Sequence, residues 1–406
     1  MRQTTARNVK RSNANALWLR KGADRRIGKG HQWIYSNEVD TSKTPLSEFS
    51  AGDLVEVTSS SGKILGAAYM EPQALICARL YARGDYVPLD SDVFAVRIRA
   101  ALALRQRFYP EPYYRLIYGD SDGLSGLVVD RLGDYLVVQL NTEGLERYAE
   151  TILDVLVAEL KPSGIMVRGD SRQRRESELD TTSGALYGSV PEQVEIVENG
   201  VRFLVPAAAG QKTGWFYDHR DNRAKMKHYA PGSAMLDVYS YIGGWGVQAA
   251  AAGASTVLCV DSSEPALRGA TMNAALNGLE SRVAVERGAA EKVLQDLRAR
   301  GDRFDLVVVD PPALIQRRRD FKQGARAYRK INQLALELLT PGGVLVSASC
   351  SMLLSPTDLC AEVNDAAARL GRAITLVEQG QQARDHPIHP AIPETQYLKA
   401  LFFIVN

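Results

Sequence analysis

Cysteine is scarce in this chain. Four occur in 406 residues, Cys77, Cys259, Cys350 and Cys360, widely spaced and without a CxxC pair. That spacing excludes a disulfide framework and a cysteine-built zinc site, so reduced thiols are expected. No uncharged apolar run is long enough to span a bilayer, and the opening MRQTTARNVKRSNANALWLRKG has no apolar core of the kind a signal peptide needs. A cytoplasmic protein with no membrane contact is expected. Histidine is also sparse, at five. His386 and His389 in DHPIHP sit in a proline-stiffened loop where no Cys or Glu completes a ligand set, so no metal is expected. There are no internal repeats.

What is present is the composition of a soluble globular protein, 45 % hydrophobic and 24 % charged, with a length that calls for two or three domains. The net charge of +2 hides an uneven distribution. Residues 1–30 carry nine Lys or Arg against one acid, Asp24, and the stretch Arg317 to Lys330 (RRRDFKQGARAYRK) carries seven against one, with Phe321 and Tyr328 interleaved. Positive charge with aromatic rings suits phosphate neutralisation and base stacking, and equally describes solvated faces.

Four regions are expected: a flexible basic arm over 1–14, a small β-barrel over 15–88, a central α+β unit over 89–189, and an α/β unit over 190–406. In the second, short strands alternate with turn residues from ALWLRKG to ALICARLYARG. A helix over DVFAVRIRAALALRQRFY leads into the third, which reads LSGLVVDR, DYLVVQLN, a helix over GLERYAETILDVLVAEL, and GIMVRGD. Arg168, Arg172, Arg174 and Arg175 cluster after it, an RNA-facing edge or a solvated loop. In the fourth, strands SAMLDVYS, STVLCVD, RVAVERG, FDLVVVD and GGVLVSAS alternate with helices, and AITLVEQ and YLKALFFIV follow with no helix between them. Five parallel strands closed by an antiparallel pair describe the Rossmann-like sheet of class I S-adenosylmethionine-dependent methyltransferases.

Two strand ends carry chemistry. After the first strand, DVYSYIGGWG offers Gly243, Gly244 and Gly246 for a tight turn and close backbone approach to a ligand. It is not the GxGxxG of a dinucleotide site, so a cofactor without a pyrophosphate fits better than a nicotinamide. Asp261 ends the second strand, where a carboxylate can take both ribose hydroxyls of an adenosine. On the far side, FDLVVVDPPA ends in Asp310 before two prolines, and GGVLVSASCS delivers Cys350 to a carboxyl end. A thiol and a carboxylate on one rim suggest attack on a base.

The motifs QKTGWFYDHRDNR, VYSYIGGWG, VVVDPPA, AYRKINQLA and SASCS occur in this order, after LRKGADRRIGKGHQWIYSNEV and SDGLSGLVVDRLGDYLVVQL. Together they resemble the bacterial large-subunit ribosomal RNA cytosine-5 methyltransferases that carry an N-terminal PUA domain, over nearly the whole chain. The resemblance implies a PUA RNA-binding domain, a small central domain, and a Rossmann-like methyltransferase domain using S-adenosyl-L-methionine on ribosomal RNA. A homodimer is left open. It places Gln211, Lys212, Thr213, Asp237, Tyr239, Ser240, Gly243, Gly244, Asp261, Ser262, Gly288 and Asp310 at the cofactor. Arg25, Arg26, Arg317, Arg318, Arg319, Lys322, Arg326 and Tyr328 are placed at the RNA, with Tyr328 either stacking on a base or filling the core. Asp310 and Cys350 map to the two catalytic motifs.

Two departures stand out. Gly288 and Ala289 occupy the place of an acid for the adenine amine, which leaves backbone groups or Glu291 to hold the ring, and Ala313 replaces the lysine or second cysteine that can follow the prolines.

Cytosine C5 is a poor nucleophile. Thiolate attack at C6 makes an enamine-like adduct whose C5 accepts a methyl group, and loss of the C5 proton expels the cysteine. Cys350 is then the nucleophile and Asp310 the partner of the N3 and amino edge. The rivals are transfer to an exocyclic nitrogen with Cys350 as a packing residue, and a non-catalytic RNA-binding assembly factor.

Overall fold

The computed structural model describes residues 15–169, 174, 183–207 and 214–406. Strands β1 (Asn15–Trp18), β2 (Trp33–Tyr35), β3 (Leu54–Thr58), β4 (Ile64–Met70) and β5 (Ile76–Arg83) pair in the order β1-β3-β4-β5-β2. Leu17, Ile34, Val55, Val57, Met70 and Ala78 form a core of their own inside this sheet. His31 is buried against the edge of the Trp33 ring, so both belong to this unit's packing.

A helix over Ser91–Phe108 follows, its first amides capped by the Asp90 side chain. The second sheet has the order β10-β9-β8-β7-β6, with β6 (Tyr113–Tyr118), β7 (Leu127–Leu132), β8 (Tyr135–Leu140), β9 (Gly164–Val167) and β10 (Gly184–Gly188). β8 and β9 run parallel because the helix Ala149–Leu160 carries the chain back across the sheet. Sequence patterning anticipates β7, β8, β9 and both helices but not β6 or β10. β6 carries Arg115 at mid-strand, which spoils the apolar signal, yet Arg115 is tolerated there by a 2.5 Å ion pair with buried Asp130. β10 is a largely exposed edge with no apolar face to read. Of the arginine cluster beyond β9, Arg168 and Arg174 are buried, the latter paired with Glu146. That corrects both the RNA-edge and the solvated-loop readings for those two residues; Arg172 and Arg175 lie outside the described residues.

β11 (Gln193–Glu198) and β12 (Val201–Pro206) form a hairpin turned on Asn199 and Gly200, both at positive φ, 55° and 80°. An Asn-Gly pair between alternating apolar residues is a hairpin signal that the strand-helix reading of this region passes over. The last sheet contains β13 (Ala234–Val238), β14 (Thr256–Asp261), β15 (Val283–Arg287), β16 (Phe304–Val309), β17 (Leu339–Ser349), β18 (Ile374–Gln381) and β19 (Lys399–Val405), in the order β15-β14-β13-β16-β17-β19-β18. The first five are parallel, and β19 runs antiparallel to both neighbours, as the sequence pattern predicts. Apolar clusters cover both faces of this sheet. Strand order reverses between β13 and β16, which opens a crevice at the carboxyl ends of these strands.

Buried polar contacts join the three units. Arg105 makes two bonds to Asp122, at 2.5 and 2.7 Å, and one of 2.9 Å to the Asp385 carbonyl. Trp33 Nε1 donates to Asp120 Oδ1 at 2.8 Å, and Gln32 Nε2 lies 3.0 Å from His389 Nε2. His386 Nδ1 lies 2.8 Å from Asp385 Oδ1. The His386 ring also packs on Tyr118 of the second sheet, centroids 5.0 Å apart, so both histidines of DHPIHP serve domain contacts. Among the described residues no helix is long and apolar enough to cross a membrane.

Candidate active site

The loop after β13 is built under strain. Tyr239 and Tyr241 adopt left-handed φ values of 67° and 50°, a conformation that costs a non-glycine residue about 1 kcal/mol or more and persists where neighbours enforce it. Here the Tyr241 amide donates to Asp261 Oδ2 at 3.0 Å and its hydroxyl to the Gly214 carbonyl at 3.2 Å. Gly243 follows at φ 82° and opens the helix Gly244–Ala251. Gly246 has a packing reason, since a Cβ there would lie 2.6 Å from Cys259 Sγ and 3.1 Å from Asp237 Oδ2.

Asp237 is fully buried at the end of β13. Oδ2 accepts from the Gly246 amide at 2.8 Å, while Oδ1 is buried with no hydrogen-bond partner among the described residues. Burial pushes its carboxyl up to about 7, against the Gly246 bond and with added repulsion from Asp310 and Asp261. A buried carboxylate oxygen without a donor is costly, and a ligand carrying an ammonium group would satisfy it. Asp261 also takes an amide from Ser263 at 2.9 Å and keeps lone pairs for hydroxyl donors. Ser240 is buried beside these, Tyr239 is half-buried, Ser262 is exposed, and the Gly288 amide donates to the Asp261 carbonyl at 3.1 Å. These groups fit S-adenosylmethionine: Asp237 toward the amino acid end, Asp261 toward the ribose. Glu291, the alternative adenine partner, instead accepts from Lys330 at 2.5 Å. Gln211, Lys212 and Thr213 lie outside the described residues.

Asp237 yields a prediction. A carboxyl raised from its ordinary value to about 7 gives stability that is full below pH ~4 and is lost as pH rises through 7, by about 1.4 kcal/mol per pH unit across that window. Asp237→Asn should therefore melt higher than the wild type at pH 8, by a margin that shrinks toward pH 5, and bind S-adenosylhomocysteine at least about tenfold more weakly. Thermal scans across pH and calorimetry check both; coincident melting curves at every pH would contradict the assignment.

Asp310 and Cys350 leave neighbouring strands. β16 and β17 are parallel, with Val309 opposite Ser347, so Asp310 and Cys350 follow adjacent strand ends on the crevice rim. Asp310 Oδ1 lies 3.2 Å from His219 Nε2, and Oδ2 accepts from Trp245 Nε1 at 3.2 Å. Burial opposes ionisation of Asp310, but the neighbouring His219 and the bonds from His219 and Trp245 outweigh it and hold the carboxyl below the ordinary aspartate range. His219 is itself buried, with Asn222 Nδ2 3.3 Å from its Nδ1, and Tyr397 donates to the adjoining Asp218. Sequence reasoning singles out neither His219 nor Trp245. Both stand inside quoted motifs, FYDHRDNR and IGGWG, so the signal was there without a way to assign partners.

Cys350 is half-buried at the rim, whereas Cys77 and Cys259 are fully buried. Burial pushes the Cys77 thiol up to about 12 and also raises the Cys259 thiol well above its ordinary value, as for inert core thiols. Arg317, Arg318, Arg319, Lys322 and Arg326 are exposed on and before the helix Phe321–Leu338. Tyr328 is not available for stacking, which corrects that reading. It is completely buried, and its hydroxyl lies 2.8 Å from Ser349 Oγ and 2.9 Å from Ser351 Oγ, so it fixes the backbone on either side of Cys350. Arg25 is exposed, while Arg26 is held by Glu38 at 2.7 Å.

A Rossmann-like sheet with this strand order and this glycine loop defines a class I methyltransferase fold, here behind a small β-sheet unit. A family model described as S-adenosylmethionine-dependent methyltransferase matches residues 140–404, and a PUA-like domain model matches residues 17–83. A protein described as a SAM-dependent methyltransferase from Streptococcus mutans shares the fold with a TM-score of 0.81 at 20 % identity, over 96 % of this chain and 100 % of that one. The chain is 36 % identical to ribosomal RNA large subunit methyltransferase I of Shewanella denitrificans, over 94 % of its own length and 97 % of that protein. It is 37 % identical to the protein of that name from Vibrio cholerae, over 95 % and 98 %. The chain belongs to this family of S-adenosylmethionine-dependent methyltransferases.

Proposed function

We propose that this protein methylates C5 of a cytosine in large-subunit ribosomal RNA through a covalent adduct on Cys350. The observation that carries the reading is the placement of Cys350 and Asp310 on adjacent strand ends beside the glycine loop, with Asp310 clamped by His219 and Trp245. The names of the relatives support ribosomal RNA as the substrate.

When bound, S-adenosylmethionine supplies a sulfonium-activated methyl group. Cys350 Sγ as thiolate attacks C6 of the cytosine, and the C5–C6 double bond becomes an enamine whose C5 forms the new carbon-carbon bond. Asp310, ionised, accepts from the cytosine amino group and so orients the N3 edge, where a proton from solvent meets the negative charge that thiolate addition builds, and the fixed bonds from His219 and Trp245 keep its carboxylate aimed without reorganisation. C5 takes the methyl as its bond to the sulfonium breaks, leaving S-adenosylhomocysteine, and loss of the C5 proton to solvent water restores the double bond and expels the Cys350 thiolate.

A cytosine stacked in a helix cannot reach this pocket, so the target base is unstacked or looped out. Arg317, Arg318, Arg319, Lys322 and Arg326 hold the flanking phosphates, and the unit over residues 15–88, with Arg25 exposed, adds RNA affinity. The central unit over 89–189 spaces it from the methyltransferase unit over 190–406. The test is incubation with labelled S-adenosylmethionine and unmodified large-subunit RNA, digestion to nucleosides, and identification of the label by mass spectrometry. Label in 5-methylcytidine is expected. Label in an N-methylated base would reduce Cys350 to packing, and no label on RNA or ribosomal particles would favour an assembly role.

A further inference from the structure

The reaction just described gives no role to a buried lysine beside the Cys350 turn. Lys399 opens β19, where it stands in register with Ser349, the residue before Cys350. Only 4 % of it is exposed. Its Nζ donates to the carbonyls of Ser351 at 2.5 Å and Leu354 at 2.6 Å, the two ends of the turn that leads from Cys350 toward the helix Pro356–Arg369.

Taking an ammonium out of water costs several kcal/mol unless something is gained by it. Two carbonyls satisfy two of its three donors. The ionisable groups around it come from three elements. The Cys350 thiol follows β17. Asp358, on the helix behind the turn, is already engaged by the Ser355 amide and hydroxyl at 3.1 and 2.6 Å. Tyr328 faces the same turn from the helix Phe321–Leu338, its phenol raised by burial and therefore neutral near pH 7. Burial pushes the Lys399 amine down to about 8, while Cys350 and Asp358 pull it back up, so the amine is mostly charged at neutral pH. The coupling is reciprocal: a thiolate that favours the ammonium is favoured by it.

We propose that Lys399 is a positioning residue for Cys350, clamping the turn Ser351–Leu354 that presents the thiol and holding an ammonium where the thiolate forms. Its consequence for catalysis rests on Cys350 being the nucleophile, but its effect on the thiol does not. The test is the rate of Cys350 alkylation by iodoacetamide from pH 6 to 10, read by peptide mass spectrometry on the full chain, with methyl transfer to RNA assayed on the same preparations.

Wild-type Cys350 should titrate below the ordinary thiol value of about 8.5. Lys399→Gln keeps hydrogen-bond donors and loses the charge, so its profile should move up about one pH unit, with alkylation roughly tenfold slower at pH 7. Lys399→Arg should keep the wild-type midpoint. A wild-type midpoint at or above 8.5 would overturn the proposal with no variant needing to fold, and so would a Lys399→Gln profile that matches the wild type. A Lys399-dependent thiol in a protein whose Cys350→Ala variant still transfers methyl groups would sustain the coupling and remove the covalent reaction.

Discussion

Cys350→Ala is expected to reduce methyl transfer by roughly 10⁴-fold or more, the scale at which removing a nucleophile disables a covalent catalyst. S-adenosylhomocysteine binding should be unchanged, because the glycine loop, Asp237 and Asp261 belong to β13 and β14 while Cys350 follows β17. Stability should shift by about 1 kcal/mol or less, since the side chain is half-buried and the Ser349, Tyr328 and Ser351 hydroxyl network around it stays in place. Single-turnover transfer and calorimetry measure the two quantities separately. A variant that keeps activity within about tenfold would mean that C5 is reached without a C6 adduct, or that another atom is methylated.

Asp310→Asn should cost about 10² to 10⁴ in transfer rate, the usual range for a positioned acid-base group. The amide can still accept from Trp245, but it has one acceptor oxygen where the carboxylate has two, so the aim on the cytosine amino group is lost and buried His219 loses its carboxylate partner. The comparison with Cys350→Ala is informative. In a nitrogen methyltransferase, Asp310 would still orient the amine and its loss would still be severe, whereas Cys350 would be dispensable. Loss of activity in both variants, measured by single-turnover transfer with cofactor binding intact, is the pattern of the covalent route; loss in Asp310→Asn alone is not.

Much of the fold could be read from the chain because the last sheet is built from long apolar strands whose ends are marked by chemistry-bearing residues. FDLVVVDPP and GGVLVSASCS announce both a buried strand and the residue it delivers to the crevice rim. The parts that escaped were those in which tertiary contacts override local pattern. β6 hides its strand character behind Arg115, which is acceptable only because Asp130 meets it on β7. The hairpin β11–β12 was legible at Asn199-Gly200 and was masked by an expectation of alternating strands and helices. Asp310 and Cys350 could be placed on the rim by strand position, but His219 and Trp245 reach Asp310 from 91 and 65 residues away and Lys399 stands 49 residues from Cys350, and no spacing rule connects a histidine before β13 to a carboxylate after β16. Tyr328 shows the converse: aromatic and basic residues interleaved on one stretch suggest an RNA face, yet helical periodicity turns the ring inward and the arginines outward.

Trapping on RNA that contains 5-fluorocytidine tests the covalent reaction most directly. Fluorine takes the place of the C5 proton, so the adduct formed after methyl transfer cannot eliminate the cysteine. With S-adenosylmethionine present, the protein should become covalently attached to the RNA through Cys350, with a methyl group on C5 of the trapped base, as read by mass spectrometry of the nuclease- and protease-digested complex. Methylated RNA with no adduct, or an adduct mapped to Cys77, Cys259 or Cys360, would contradict the account.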